Sequence, residues 1–250
     1  MIVAAGASDI GCRRTANEDR ILVEPDELIF VVADGMGGQR CGGHAAELAT
    51  RAFHEYFRSA AQLSAAYSSD LNSALEPSQE RMATAIRLAN ERVFRESGIT
   101  RECAGMGCTI SAVTINGSMA TIGSVGDSRV YLCRGGQLIQ LTRDDSVLAK
   151  LLASGAITEQ EAPSHPSRNL LTQSVGTNET VDVQVMEFAL APGDRLLVSS
   201  DGLHATIGDK AIDEILASVE EPAAAVGALI ASARDQGGPD NISCIVIDHR

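Results

Sequence analysis

Leu28-Ile29-Phe30-Val31-Val32-Ala33-Asp34-Gly35-Met36-Gly37-Gly38 is the stretch that decides the fold and places the chemistry. A short, unbroken apolar run with β-branched and aromatic residues reads as a strand buried on both faces. It runs straight into a carboxylate followed by glycines. A single Asp-Gly after a strand is ordinarily a turn, because glycine accepts positive φ and aspartate bonds its own backbone. Here the arrangement recurs. Leu196-Leu197-Val198-Ser199-Ser200 leads into Asp201-Gly202, and Asp240-Asn241 stands immediately before Ile242-Ser243-Cys244-Ile245-Val246-Ile247. Carboxylates gathered at the mouths of buried strands, with glycine beside them, suit hard divalent cations that take oxygen ligands.

Two further acidic loci join them, Asn17-Glu18-Asp19-Arg20 and Gly126-Asp127-Ser128-Arg129. No clustered His or Cys accompanies these acids, so the donor set points to Mg²⁺ or Mn²⁺ rather than zinc or copper. Two such ions close together would activate a bridging water and clamp an in-line displacement at phosphorus.

Other strand-like runs cover residues 109–115, 119–125, 183–188, 195–199 and 242–248, with shorter ones at 129–133 and 137–141. Asn116-Gly117 and Gly135-Gly136 mark hairpin turns between neighbouring runs. Apolar stripes at helical spacing join Ala45, Ala49, Ala52, Phe53 and Tyr56, then Met82, Ile86, Ala89 and Val93. A third stripe, Val226, Leu229, Ile230 and Ala233, follows Glu221-Pro222, a helix start with proline at its first position. Residues 60–78, rich in Ser and Ala, read as a loop between helices. Hairpins outnumber βαβ units, so the sheets should be mainly antiparallel with helices outside them. The fold class is therefore α+β, a sandwich, and no linker or repeat divides residues 1–250 into more than one domain.

Composition narrows the partners. Thirty-three acidic against twenty basic side chains give a net charge of −13, and five Phe, three Tyr and no Trp leave few stacking platforms. Nucleic acid is disfavoured as a partner. The longest uncharged run, 103–126, is interrupted by Asn116-Gly117 and reads as two strands rather than a membrane span. The first residues carry no basic segment ahead of an apolar one, so a cytoplasmic location is expected. Cysteines 12, 41, 103, 108, 133 and 244 form no Cys-x-x-Cys pair and are expected to be reduced, mostly buried thiols.

Taken in order, the stretches Arg14-x-x-Asn17-Glu18-Asp19, Asp34-Gly35-Met36-Gly37-Gly38, Gly107-Cys108-Thr109, Gly126-Asp127-Ser128-Arg129, Leu141-Thr142-Arg143-Asp144, Ser200-Asp201-Gly202-Leu203 and Asp240-Asn241-Ile242-Ser243 are similar to those of a known family. The chain resembles the bacterial metal-dependent serine/threonine protein phosphatases of the protein phosphatase 2C type, from Gly6 to Val246. The resemblance implies a four-layer α-β-β-α sandwich of two antiparallel sheets flanked by helices. It implies that Asp34 bridges two Mg²⁺ or Mn²⁺ ions, that the Gly35 carbonyl ligates one, and that Asp201 and Asp240 ligate the other. Glu18 and Asp19 would act at the ions directly or through water, and Asp127 would belong to a third, weaker metal site. Arg14 would hold the substrate phosphate. The implied reaction is hydrolysis of phosphoserine and phosphothreonine by a water bridging the ions, opposing a Ser/Thr kinase.

Met36 stands where eukaryotic relatives carry a proton-donating histidine. Asp144 and Asp145 read as solvated loop acids. Residues 146–168 resemble the family's flap, with a short helix near Lys150-Leu151-Leu152, and His165 within it is a candidate substrate contact. The expected partners are phosphorylated proteins, including a Ser/Thr kinase or its substrates, met by a monomer without membrane attachment. Two other readings use the same fold: a silent domain that binds a partner, and a metal-dependent phosphohydrolase of a small metabolite. Retention of Asp34, Gly35, Asp201 and Asp240 disfavours the first, and the absence of a nucleotide-binding glycine loop the second.

Overall fold

The computed structural model describes residues 1–37, 41–66, 77–162 and 165–250, and side chains other than those of 60–66. Gly38, the greater part of the 60–78 stretch and the Pro163-Ser164 pair of the flap lie outside the described residues.

Strand β3 (Ile29–Ala33) is buried along its whole length because its two faces meet different cores. Ile29, Val31 and Ala33 face one, and Phe30 and Val32 the other. It pairs with β2 (Arg20–Glu24) and β6 (Ile110–Asn116), and β7 (Met119–Val125) and β10 (Gln184–Ala189) complete a five-stranded sheet of order β10-β7-β6-β3-β2. The second five-stranded sheet has the order β1 (Ile2–Asp9), β12 (Ile242–His249), β11 (Arg195–Ser199), β8 (Arg129–Arg134), β9 (Gln137–Gln140). Every pairing is antiparallel. A two-stranded ribbon joins β4 (Gly35–Met36) to β5 (Gly107–Cys108).

Period-2 alternation builds the layers. In the second sheet, Leu196, Val198, Ile245 and Ile247 meet Phe30 and Val32 between the sheets. Leu197, Cys244 and Val246 turn outward onto α4 (Asp201–Ser218) and α5 (Pro222–Asp235). On the far side, α1 (Cys41–Ala66) and α2 (Ser78–Ile99) lay Ala45, Ala49, Phe53, Met82 and Ile86 against Ile29 and Val31. The result is the four-layer α-β-β-α sandwich that the resemblance implies.

All the expected strands are present, with ends moved by a residue or so. Leu28 stays outside β3 in a left-handed turn, φ 55. Gly117 takes φ 60 in the hairpin, and Gly135 and Gly136 take φ 61 and 76. The flap helix is α3 (Val147–Ala153), capped by Ser146 Oγ accepting from Ala149 N, and Gly155 ends the turn after it. Three features differ from expectation. Strands β1 and β2 escaped the sequence because Ala4-Ala5-Gly6-Ala7 has little β propensity and β2 is bounded by charged residues. Helix α1 continues to Ala66, into the stretch read as a loop. And the cysteines are not all thiols: Cys41 and Cys103 form a disulfide, while Cys108 and Cys244 are buried free thiols and Cys12 is exposed. Their 62-residue separation gives no local signal of the pairing. No helix among the described residues is long and apolar enough to cross a membrane.

Candidate active site

The three strand-end aspartates meet in one cleft of about 280 Å³, although they hang from different sheets. Asp34 follows β3 of the first sheet, and Asp201 and Asp240 flank β11 and β12 of the second. Glu18, Gly35 and Asp127 line the same cleft, with Arg14 at its wall. Asp34 is set by reciprocal bonds with Thr109: its N–H donates to Thr109 Oγ1 at 3.0 Å, and Thr109 N–H donates to the Asp34 carbonyl at 2.8 Å. Thr109 Oγ1 lies 2.6 Å from Ser128 Oγ, which ties the Asp34 turn to the turn bearing Asp127.

Glycine makes the acids' closeness possible. A Cβ on Gly202 would fall 1.9 Å from the Asn241 carbonyl oxygen, so only glycine lets the start of α4 lie against Asp240-Asn241. A Cβ on Gly35 would fall 2.3 Å from the Gly42 carbonyl group, packing the β4 backbone directly on the first turn of α1.

Asn241 organises the loop that brings Glu18. Its Oδ1 accepts from Glu18 N at 2.8 Å, and its Nδ2 donates to the carbonyls of Ile10 at 2.9 Å and Ala16 at 3.0 Å. Asp19 lies buried, its Oδ2 accepting from Ser200 Oγ at 2.8 Å. Ser200 Oγ in turn accepts from Ser243 N.

The electrostatics are those of a carboxylate cluster short of positive charge. Burial above all, then the charges of Asp19, Asp201 and Asp127, holds Asp34 well above the usual carboxylate range. Burial pushes Asp19 up to about 6 and Asp127 up to about 7, with Asp201 contributing to both. Asp201 is raised by burial and by the charge of Asp240, and its own charge helps to raise Asp34. Asp201 Oδ1 and Asp19 Oδ1 are buried with no hydrogen-bond partner. Among the described residues no three acids, histidines or cysteines stand as a finished ligand shell. Asp240 is otherwise engaged: its Oδ2 accepts from Arg14 Nη2 at 2.6 Å, and its Oδ1 from Asn241 N at 2.8 Å. Arg14 is half exposed, and that bond to Asp240 raises its already high pKa.

Other expectations need correction. His165 does not line the cleft; its Nδ1 accepts from Ser167 N at 3.2 Å, and Asn169 and Leu171 reach the cleft from this side instead. Nor are Asp144 and Asp145 solvated. Asp144 forms a two-pronged pair with Arg129 at 2.9 and 2.8 Å. Asp145 is buried and accepts from Gly126 N at 3.1 Å, Gln173 Nε2 at 3.0 Å and Gln184 Nε2 at 3.1 Å. Its donors come from separate segments of chain, which local sequence does not reveal. His204 is also buried, with Nδ1 3.1 Å from Ser199 Oγ, and burial holds it well below the usual imidazole range.

Comparison with known proteins bears on the family and the fold. A family profile described as "Protein phosphatase 2C" matches residues 10–237. The serine/threonine protein phosphatase PstP of Mycobacterium tuberculosis is 34% identical over 247 residues, 98% of this chain and 44% of that longer protein. This chain thus spans under half the length of that relative. Protein phosphatase PhpP of Streptococcus pneumoniae is 31% identical over 96% of this chain and 94% of its own length. The crystal structure of the PstP catalytic domain in complex with two manganese ions superposes with a TM-score of 0.84 at 29% identity, covering 99% of this chain and 97% of that one.

Proposed function

This chain belongs to the protein phosphatase 2C family of metal-dependent serine/threonine protein phosphatases, and on that premise we propose that it hydrolyses phosphoserine and phosphothreonine in proteins, using two Mg²⁺ or Mn²⁺ ions. The observation that carries the reading is the half-buried cluster of Asp34, Asp127 and Asp201, each holding its proton above the usual carboxylate range, with one buried oxygen, Asp201 Oδ1, that has no donor. An all-oxygen, anionic donor set of this kind fits hard divalent cations, which would displace the protons that the raised acids hold.

Asp34 and the Gly35 carbonyl would hold one ion, Asp34, Asp201 and Asp240 the other, and Asp127 a third, weaker one. Glu18, and Asp19 behind it, would support the cluster through water. When bound, the ions supply Lewis acidity, lowering the pKa of water and offsetting charge at phosphorus. Arg14 bonds Asp240 through Nη2 and is half exposed at the cleft wall; its remaining guanidinium donors would take the phosphoryl oxygens of the substrate. Asn241 orients Glu18 and holds the 10–18 loop that also carries Arg14. Met36 lines the cleft and has no proton to give, so the leaving alkoxide takes its proton from another source.

Three cores shared across the layers support reading residues 1–250 as one catalytic domain. Its substrates would be phosphoproteins, a Ser/Thr kinase or that kinase's targets among them, selected by residues 146–168 beside the cleft. The test is hydrolysis of a phosphothreonine peptide with Mn²⁺. Activity should stop with EDTA and fall by at least about 100-fold in Asp34→Asn. Full activity in EDTA would overturn the mechanism.

A further inference from the structure

We propose that the Cys41–Cys103 disulfide is a redox-sensitive modification site that clamps the metal-binding ribbon β4–β5, so that its reduction weakens cation binding. The inference rests on the reading of Gly35 as a metal ligand. Its own evidence is the way the two sulfurs bracket the ribbon.

On one shoulder, Cys41 opens α1, and the next residue, Gly42, packs its backbone on Gly35 so closely that a Cβ on either glycine would collide with the other's carbonyl carbon and oxygen. On the other shoulder, the Cys103 carbonyl accepts from Met106 N at 3.0 Å. Met106 is fully buried and precedes Gly107, which pairs with Met36 in the ribbon. A Cβ on Gly37 would lie 2.9 Å from Met106 Cα, so the two sides of the ribbon also touch beyond it. The disulfide therefore joins the segment packed on Gly35 to the segment that leads into its partner strand. Cys41 Sγ further approaches the Glu102 carbonyl at 3.6 Å. The remaining four cysteines are free thiols, two of them buried beyond reach of solvent.

The chemistry is thiol–disulfide exchange with a dithiol reductant. A thiolate of the dithiol attacks the less buried sulfur, that of Cys103, and the S–S bond breaks. The second thiol of the reductant then displaces Cys103 from the mixed disulfide. The reductant leaves as a disulfide, having given up two electrons, and Cys41 and Cys103 each end with a proton. A disulfide oxidant reverses the step.

The experiment compares oxidised protein with protein reduced by dithiothreitol, well below its melting temperature. Alkylation and intact mass count the thiols, and calorimetric titration with Mn²⁺ reads affinity without turnover. Reduction should expose two additional thiols at Cys41 and Cys103 and weaken Mn²⁺ binding about 5-fold or more, with recovery on adding glutathione disulfide. Cys41→Ser should bind Mn²⁺ as the reduced protein does and ignore dithiothreitol, whereas Cys12→Ser should respond like the parent. Free thiols at both positions in untreated, oxidant-exposed protein would overturn the proposal, as would equal affinity in the two redox states. If oxidised protein binds no Mn²⁺ at all, the ligand reading beneath the clamp falls first; binding that is present but indifferent to redox state removes the clamp alone.

Discussion

Asp19 and Asp127 are the residues whose protons report on the site. In the folded, metal-free chain they titrate at about 6 and about 7, against an ordinary value of 3.8. Between those values the native state holds protons that the unfolded chain has released. Their contribution to stability is therefore complete below 3.8 and is lost as the pH rises through 6 and 7. Cations bind the deprotonated acids, so the increase in melting temperature on adding Mn²⁺ should be larger at pH 8 than at pH 6. Equal increases at both pH values would show that these carboxyls do not exchange protons for the ion. Asn241 offers a second prediction at this scale. Asn241→Ala removes the anchor for Ile10, Ala16 and Glu18 and should cost about 1–3 kcal/mol in urea unfolding. It should also weaken Mn²⁺ binding, because Glu18 loses its backbone restraint. The sequence placed Asn241 beside Asp240 but gave no hint of these bonds, since the partners of its side chain lie more than two hundred residues away.

Among the elements, the strands buried on both faces are the plainest in the sequence. Strands such as β3 and β12 announce themselves because nearly every position is covered on both faces, which demands an unbroken apolar run. The half-covered edge strands β1 and β2 do not, and their residues settle there through pairing rather than propensity. The strand-end aspartates were legible for the same reason that β3 was, each standing at one end of a buried run. Asp145 was not, because its role is assembled from distant donors. It fastens the start of the flap to the Gly126 turn, to Gln173 and to Gln184 of β10, and its own carbonyl accepts from Thr172 N at 2.7 Å. Asp145→Ala should leave buried donors unpaired and destabilise the fold by about 1–3 kcal/mol. Turnover of a phosphopeptide should suffer more than that of a small aryl phosphate, because the peptide needs the flap in place. Equal losses on both substrates would assign Asp145 to general stability alone.

At the scale of the whole molecule, the cross-link between Cys41 and Cys103 closes a 62-residue separation. Loop-closure entropy for that span is worth about 4 kcal/mol. In a chain of this size such a loss corresponds to a fall of about 10 °C in melting temperature, which scanning calorimetry under dithiothreitol would measure. A negligible fall would mean that the unfolded, reduced chain retains structure that already restrains this loop. The acidic surplus of −13 also takes on a local meaning, because much of the chemistry-bearing part of it is turned into one cleft rather than spread over the surface. The ligands proposed here descend from both sheets, Asp34 from one and Asp201 with Asp240 from the other. Their mutual spacing is therefore fixed by Phe30, Val32, Val198 and Ile245, which fill the space between the sheets. The apolar interior works as a caliper: its thickness sets the gap between the two sets of carboxylates, so under the proposed function the choice between a small Mg²⁺ and a larger Mn²⁺ would be written as much in methyl groups as in carboxylates.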